Sequence, residues 1–136
     1  MRVLTLLMAV LLPFCALAET GVMSPDAAWR KAEAGELLII DIRTPPEWAW
    51  SGTPRGSARV NWLQLSGEEG FLKDVLEVTN GDRSRPLALI CASGGRSSSA
   101  AAFLAANGFS QVADIGEGMG GSRQGPGWLA RKLPLE

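Results

Sequence analysis

Two stretches of this chain are apolar almost without a break: Leu37-Leu38-Ile39-Ile40-Asp41-Ile42 and Pro86-Leu87-Ala88-Leu89-Ile90-Cys91. A strand with one wet face alternates apolar and polar residues. A short continuous run instead suits a strand covered on both faces, as in a parallel sheet packed between helices. Helical signals lie around both runs. Ser24-Pro25-Asp26 offers a cap, a proline at the first helical position and an acid in the first turn, and Ala27, Ala28, Trp29, Ala32 and Glu33 continue to a stop at Gly35. Phe71, Leu72, Val75, Leu76 and Val78 recur at helical spacing up to Asn80-Gly81, and Ser97 to Ala106 reads as a helix closed by Asn107-Gly108. Gln111 to Ile115 is a third strand, and Arg59 to Leu63 a short one. Thr44-Pro45-Pro46 breaks the first strand and is expected to open a loop through about Ala58. A glycine-rich loop spans 116–127, and Trp128 to Lys132 reads as a final helical turn. Strands alternating with helices predict an α/β fold: three layers, with a mostly parallel central sheet flanked by helices.

The first eighteen residues do not fit that pattern. Arg2 precedes an almost unbroken apolar run from Val3 to Leu12, and Ala16-Leu17-Ala18 has the small-x-small form that signal peptidase prefers. The run is short for a spanning helix and ends in Glu19-Thr20-Gly21 without stop-transfer charges, so stable membrane insertion is not expected. Phe14 before Cys15 makes a poor lipobox. The reading is a cleaved signal peptide over 1–18, a single domain over 19–136, and a periplasmic or secreted protein. Without Arg2 the remainder holds twelve basic and fourteen acidic residues, a net charge of −2. That balance gives no support to nucleic-acid binding, and the expectation is a monomer.

Cysteine use narrows the chemistry. Cys15 leaves with the leader and Cys91 remains alone. A lone cysteine in an exported protein cannot close an internal disulfide, so it is either a small buried apolar residue or a reactive one. The chain has no histidine, which removes a Cys-His catalytic pair and argues against a zinc site; no metal or cofactor is expected.

The context of Cys91 favours reactivity. It ends a buried strand, and Ala92-Ser93-Gly94-Gly95-Arg96 leads into a helix beginning near Ser97. Ligands bind at the carboxyl edge of parallel sheets, and a helix N-terminus presents free N–H groups and a positive dipole end. Two glycines allow consecutive N–H groups to curl inward as a nest. Such a cradle favours a thiolate over a thiol and makes it a good nucleophile. Arg96 places a positive charge at the rim, suited to an anionic substrate.

Cys91-Ala92-Ser93-Gly94-Gly95-Arg96-Ser97 resembles the active-site loop of the rhodanese (sulfurtransferase) family, and Asp41-Ile42-Arg43-Thr44-Pro45-Pro46-Glu47-Trp48 resembles that family's D-x-R-x-x-x-E-[aromatic] motif, about fifty residues earlier. The resemblance implies a parallel three-layer domain and a double displacement. Cys91 would be the nucleophile that takes a sulfane sulfur from a small anionic donor such as thiosulfate, and cyanide or a thiol, small or protein-borne, would remove it. It implies that Ala92, Ser93, Gly94, Gly95 and Arg96 bind the substrate, and that Asp41, Arg43 and Glu47 are structural, with Arg43 and Glu47 pairing across the turn.

Three departures stand out. Gly52-Thr53-Pro54-Arg55-Gly56-Ser57 lacks the usual histidine and has a shifted proline, Ala92 replaces a frequent arginine, and Gly120-Gly121 is separated from Trp128 by a longer segment that could wall the active-site mouth or act as a mobile linker. Trp29 is expected in or beside the core, and Trp48, Trp50 and Trp62 are expected mainly as buried anchors. Two other functions fit the pattern less well. A non-catalytic rhodanese-like binding module usually lacks the cysteine. A cysteine phosphatase or arsenate reductase needs a wider loop than the six residues from Cys91 to Arg96.

Overall fold

The computed structural model describes residues 19–136. The expected signal peptide lies outside them. The elements run β1 (Glu19–Val22), α1 (Pro25–Glu33), β2 (Leu38–Asp41), α2 (Pro45–Ser51), β3 (Ala58–Arg59), α3 (Gly67–Val78), β4 (Leu87–Ile90), α4 (Gly95–Ala106) and β5 (Gln111–Asp114). The strands form one sheet in the order β1-β5-β4-β2-β3, and every pairing is parallel. The two apolar runs are the neighbours β2 and β4, in register from Leu38 opposite Leu87 to Asp41 opposite Ile90.

Side-chain parity divides the core into two layers. Ile40, Ile42, Leu87, Leu89, Cys91 and Val112 point to one face, where Phe71 and Val75 of α3 and Ala100, Ala101 and Leu104 of α4 cover them. Ile39, Ala88, Ile90 and Ile115 point to the other, against Ala28 of α1, Met119 and Trp128. The three-layer α/β expectation therefore holds.

Several local expectations do not. The stretch after Thr44 is not all loop: α2 begins there, with Thr44 as N-cap and Glu47 completing a capping box. Its two prolines occupy the first helical positions, where the missing N–H would have no partner anyway. β1 arises from the polar segment after the leader and pairs along the outer edge of β5. β3 is only two residues long and shares just Arg59 with the expected Arg59–Leu63 strand. Residues 128–132 form turns, with one helix-type bond from Arg131 N to Gly127 O at 3.1 Å. Among the tryptophans, Trp29 packs edge-on against the fully buried Trp128, and Trp62 against Phe71. Trp50 is 81% exposed and anchors nothing.

Candidate active site

β4 carries Cys91 to the carboxyl edge of the sheet, and the next residues turn into α4. The turn needs Gly94, which caps α4 at φ +92; a Cβ there would collide with the Gly116 carbonyl oxygen. Gly94 has no side chain with which to cap the helix. The Cys91 sulfur takes that place: its Sγ accepts the Gly94 N–H at 3.1 Å and the Ser97 N–H at 3.4 Å. The backbone N–H groups of Ala92, Ser93, Gly95 and Arg96 have no protein acceptor among the described residues. The loop thus sets two N–H donors on a thiol that is only 1% exposed and leaves four more unpaired within the same turn.

A second layer supports this loop from behind. Met119 N–H donates to the Cys91 carbonyl at 2.8 Å and Gly120 N–H to the Ala92 carbonyl at 2.9 Å. The segment making these bonds is itself fixed: Glu117 accepts from Arg131 at 2.9 Å and from Gly127 N–H at 3.0 Å, and Arg131 also reaches Asp26 of α1 at 2.6 Å. Residues 122–124 stand with Ser93, Gly94, Ser98 and Asp114 around a cleft of about 390 Å³. The longer segment before Trp128 thus lines a cleft beside the loop.

The charged residues of the earlier motif pair differently from expectation. Arg43 is 2% exposed and grips Asp41, Nε to Oδ1 at 3.0 Å and Nη2 to Oδ2 at 2.8 Å, while also donating to Ser51 Oγ and the Gly52 carbonyl. It reaches only the backbone oxygen of Glu47, at 3.4 Å. The Glu47 carboxylate instead forms a two-pronged pair with Arg96, at 2.7 and 2.8 Å. The cause is the short helix α2, which rotates Glu47 out of the turn and toward the Cys91 loop. The Arg96 hydrogen bonds, helped by Thr44 and opposed by burial, lower the Glu47 carboxyl from its ordinary range to about 2. Arg96 is therefore not a free cation at the rim; its guanidinium clamps the loop to α2.

Two residues beside the sulfur were not singled out by the sequence reading. Ser97 Oγ lies 3.3 Å from Cys91 Sγ and 2.6 Å from Asp114 Oδ1. Asp114 shares its face of β5 with Val112, the face that carries Cys91 and meets α4. A charged residue two positions after Val112, on the same inward face of β5, was the signal that could have found it. Among the described residues, no group of three or more potential ligand side chains is placed to hold a metal. None of their helices is long and apolar enough to cross a membrane.

A parallel α/β sheet whose central strand leads into a cysteine, followed by a glycine-turned loop at a helix N-terminus, defines a cysteine-loop protein. The rhodanese-like domain profile matches residues 24–122, and the chain belongs to that family. It is 32% identical over 101 residues to an uncharacterized protein of Rickettsia prowazekii, covering 73% of this chain and 82% of the relative. The fold is shared with the polysulfide-sulfur transferase homodimer of Wolinella succinogenes (24% identity, TM-score 0.65, 89% and 81% covered). It is also shared with a Rhodopseudomonas palustris protein of unknown function described as a possible tyrosine phosphatase (23% identity, TM-score 0.61, 86% and 85% covered).

Proposed function

We propose that the protein is a sulfurtransferase, or carrier of sulfane sulfur, that works through a persulfide on Cys91. The observation that carries this reading is the seat of the sulfur, at the N-terminus of α4, where it accepts the N–H groups of Gly94 and Ser97. The Cys91 thiolate attacks the outer sulfur of a donor such as thiosulfate. A new S–S bond forms, the donor's S–S bond breaks, and sulfite leaves with the bonding pair. The persulfide anion is then held by the N–H groups of the loop, which need no proton transfer to do so. Cyanide or a thiolate next takes the outer sulfur, and Cys91 leaves as thiolate. The shared fold of the Wolinella polysulfide-sulfur transferase is in keeping with this chemistry.

The phosphatase alternative asks the loop arginine to grip a phosphoryl group. Arg96 is committed to Glu47, and no carboxylate lies inside the Cys91–Arg96 loop to protonate a leaving oxygen. We further propose export, with the leader removed near Ala18. The test of the main reading is intact-mass measurement after incubation with thiosulfate. A gain of about 32 Da, one sulfur atom, located on Cys91 and discharged by cyanide is expected. Release of phosphate from an aryl phosphate with no sulfur loading would reverse the assignment.

A further inference from the structure

The half-buried and buried acids around the loop share one habit: each holds an arginine. Asp41 has Arg43, Glu47 has Arg96 and Glu117 has Arg131. Asp114 is the exception. It is 8% exposed, and among the described residues no cation lies within ion-pair distance. A carboxylate buried without a cation is unfavourable unless its proton has somewhere to come from. The partner of Asp114 is Ser97, which is fully buried and touches the Cys91 sulfur.

We infer that Asp114, Ser97 and Cys91 form a proton relay, in which Asp114 holds the Cys91 proton by way of the Ser97 hydroxyl. This deepens the sulfur-transfer reading and concerns the same sulfur. The thiol hydrogen moves to Ser97 Oγ while the Ser97 hydrogen moves to Asp114 Oδ1. The S–H bond and the old serine O–H bond break; a new serine O–H and an Asp114 O–H form. Serine stays neutral, and the negative charge passes from Asp114 to the sulfur. There the Gly94 and Ser97 N–H groups and the Ser97 hydroxyl receive it. Asp114 also lines the cleft beside residues 122–124, which gives its proton a route to solvent.

The surroundings favour a carboxyl that keeps a proton. Burial pushes Asp114 above the ordinary carboxylate range, and the Ser97 hydrogen bond offsets this in part. Of the charged groups nearby, Arg96 on α4 is held by Glu47, and Asp41 at the end of β2 is held by Arg43. Arg123 stands across the cleft and is exposed. From β1 the cleft receives Val22, which is apolar. Asp114 and Ser97 are positioning residues in this scheme, because the sulfur alone touches the donor.

The test is the rate of Cys91 alkylation by iodoacetamide, read by peptide mass mapping from acid to alkaline pH. If one proton is shared, the native protein titrates as a pair. Its rate should rise in two steps, with a plateau between them. Asp114→Asn should show one step with no plateau. Ser97→Ala should lose the lower step. A purely structural Asp114 predicts one step in the native protein as well, and that result overturns the relay without needing either variant to fold. Thiocyanate formation is assayed separately. If it is absent while the two steps remain, the relay stands and the sulfur-transfer reading is what fails.

Discussion

Replacing Glu47 by glutamine tests the clamp between α2 and the Cys91 loop. Glutamine keeps an oxygen for the capping bonds from Thr44, so the substitution removes the charge and little else. The native carboxyl is lowered from 4.5 to about 2, chiefly by the Arg96 hydrogen bonds. Taken at face value, that shift converts to roughly 3 kcal/mol at neutral pH. The two side chains are 31% and 25% exposed, and solvent screens such pairs strongly, so about 1.5 kcal/mol is the expected contribution. For a domain of this size, that lowers the melting midpoint by about 6 °C. Because the folded carboxyl is more acidic than the unfolded one, the stabilisation is fully present above pH 4.5 and disappears as pH falls toward 2. Urea titration at neutral pH, with thermal unfolding across the acid range, measures both effects. A gap between native and Glu47→Gln that persists at pH 2 would mean that the loss is packing rather than charge. A gap below about 0.3 kcal/mol at neutral pH would place the pair among surface contacts that contribute nothing.

Cys91→Ser is expected to abolish cyanide-dependent thiocyanate formation while leaving the unfolding midpoint within about 1 kcal/mol of native, since a hydroxyl fits the buried site but does not form a persulfide; residual turnover would remove Cys91 from the chemistry. Gly94→Ala should lose at least about 2 kcal/mol in a urea titration, because a side chain must adopt positive φ and displace the Gly116 carbonyl; a neutral outcome would show that the two loops are not in contact in solution. Arg43→Lys should cost about 3 kcal/mol, since an ammonium cannot reach Asp41, Ser51 and the Gly52 carbonyl together; an unchanged midpoint would contradict the fork geometry. Protein recovered from a secreting host should begin at or near Glu19 without lipid, as N-terminal sequencing will show; retained Met1 or an acylated Cys15 would refute the export proposal.

The sheet was legible because β2 and β4 are apolar on both faces, a pattern that few other environments tolerate. The Cys91 loop was legible because strand, glycines and helix follow one another within the chain. What escaped were features set by distance in space. The sequence Thr44-Pro45-Pro46-Glu47 contains a capping box, but its two prolines read more strongly as a break, and so α2 was missed. With α2 missed, Glu47 was assigned to Arg43, four residues away, when its partner Arg96 is forty-nine residues along the chain. β1 is short and polar at its start, and only the open edge of β5 makes it a strand. Ser97 was seen as a helix start and Asp114 as part of a strand; their meeting depends on the facing of α4 and β5, which no local pattern encodes.

The place of β1 in the sheet has a consequence for the order of folding. Glu19 lies opposite Gln111, ninety-two residues later, so the first described strand docks on the last. A chain emerging N-terminus first, from a ribosome or through a membrane channel, cannot make this pairing until Gln111–Asp114 has appeared. Until then Glu19–Val22 is an unpaired extended segment free to be handled by other proteins. The closure entropy for so long a loop falls on the latest contacts to form. The pairing also places Val22 with Asp114 and Ser98 around the cleft beside the loop. A product stalled before Gln111 would therefore carry the Cys91 loop with neither β5 nor β1 in the sheet beside it.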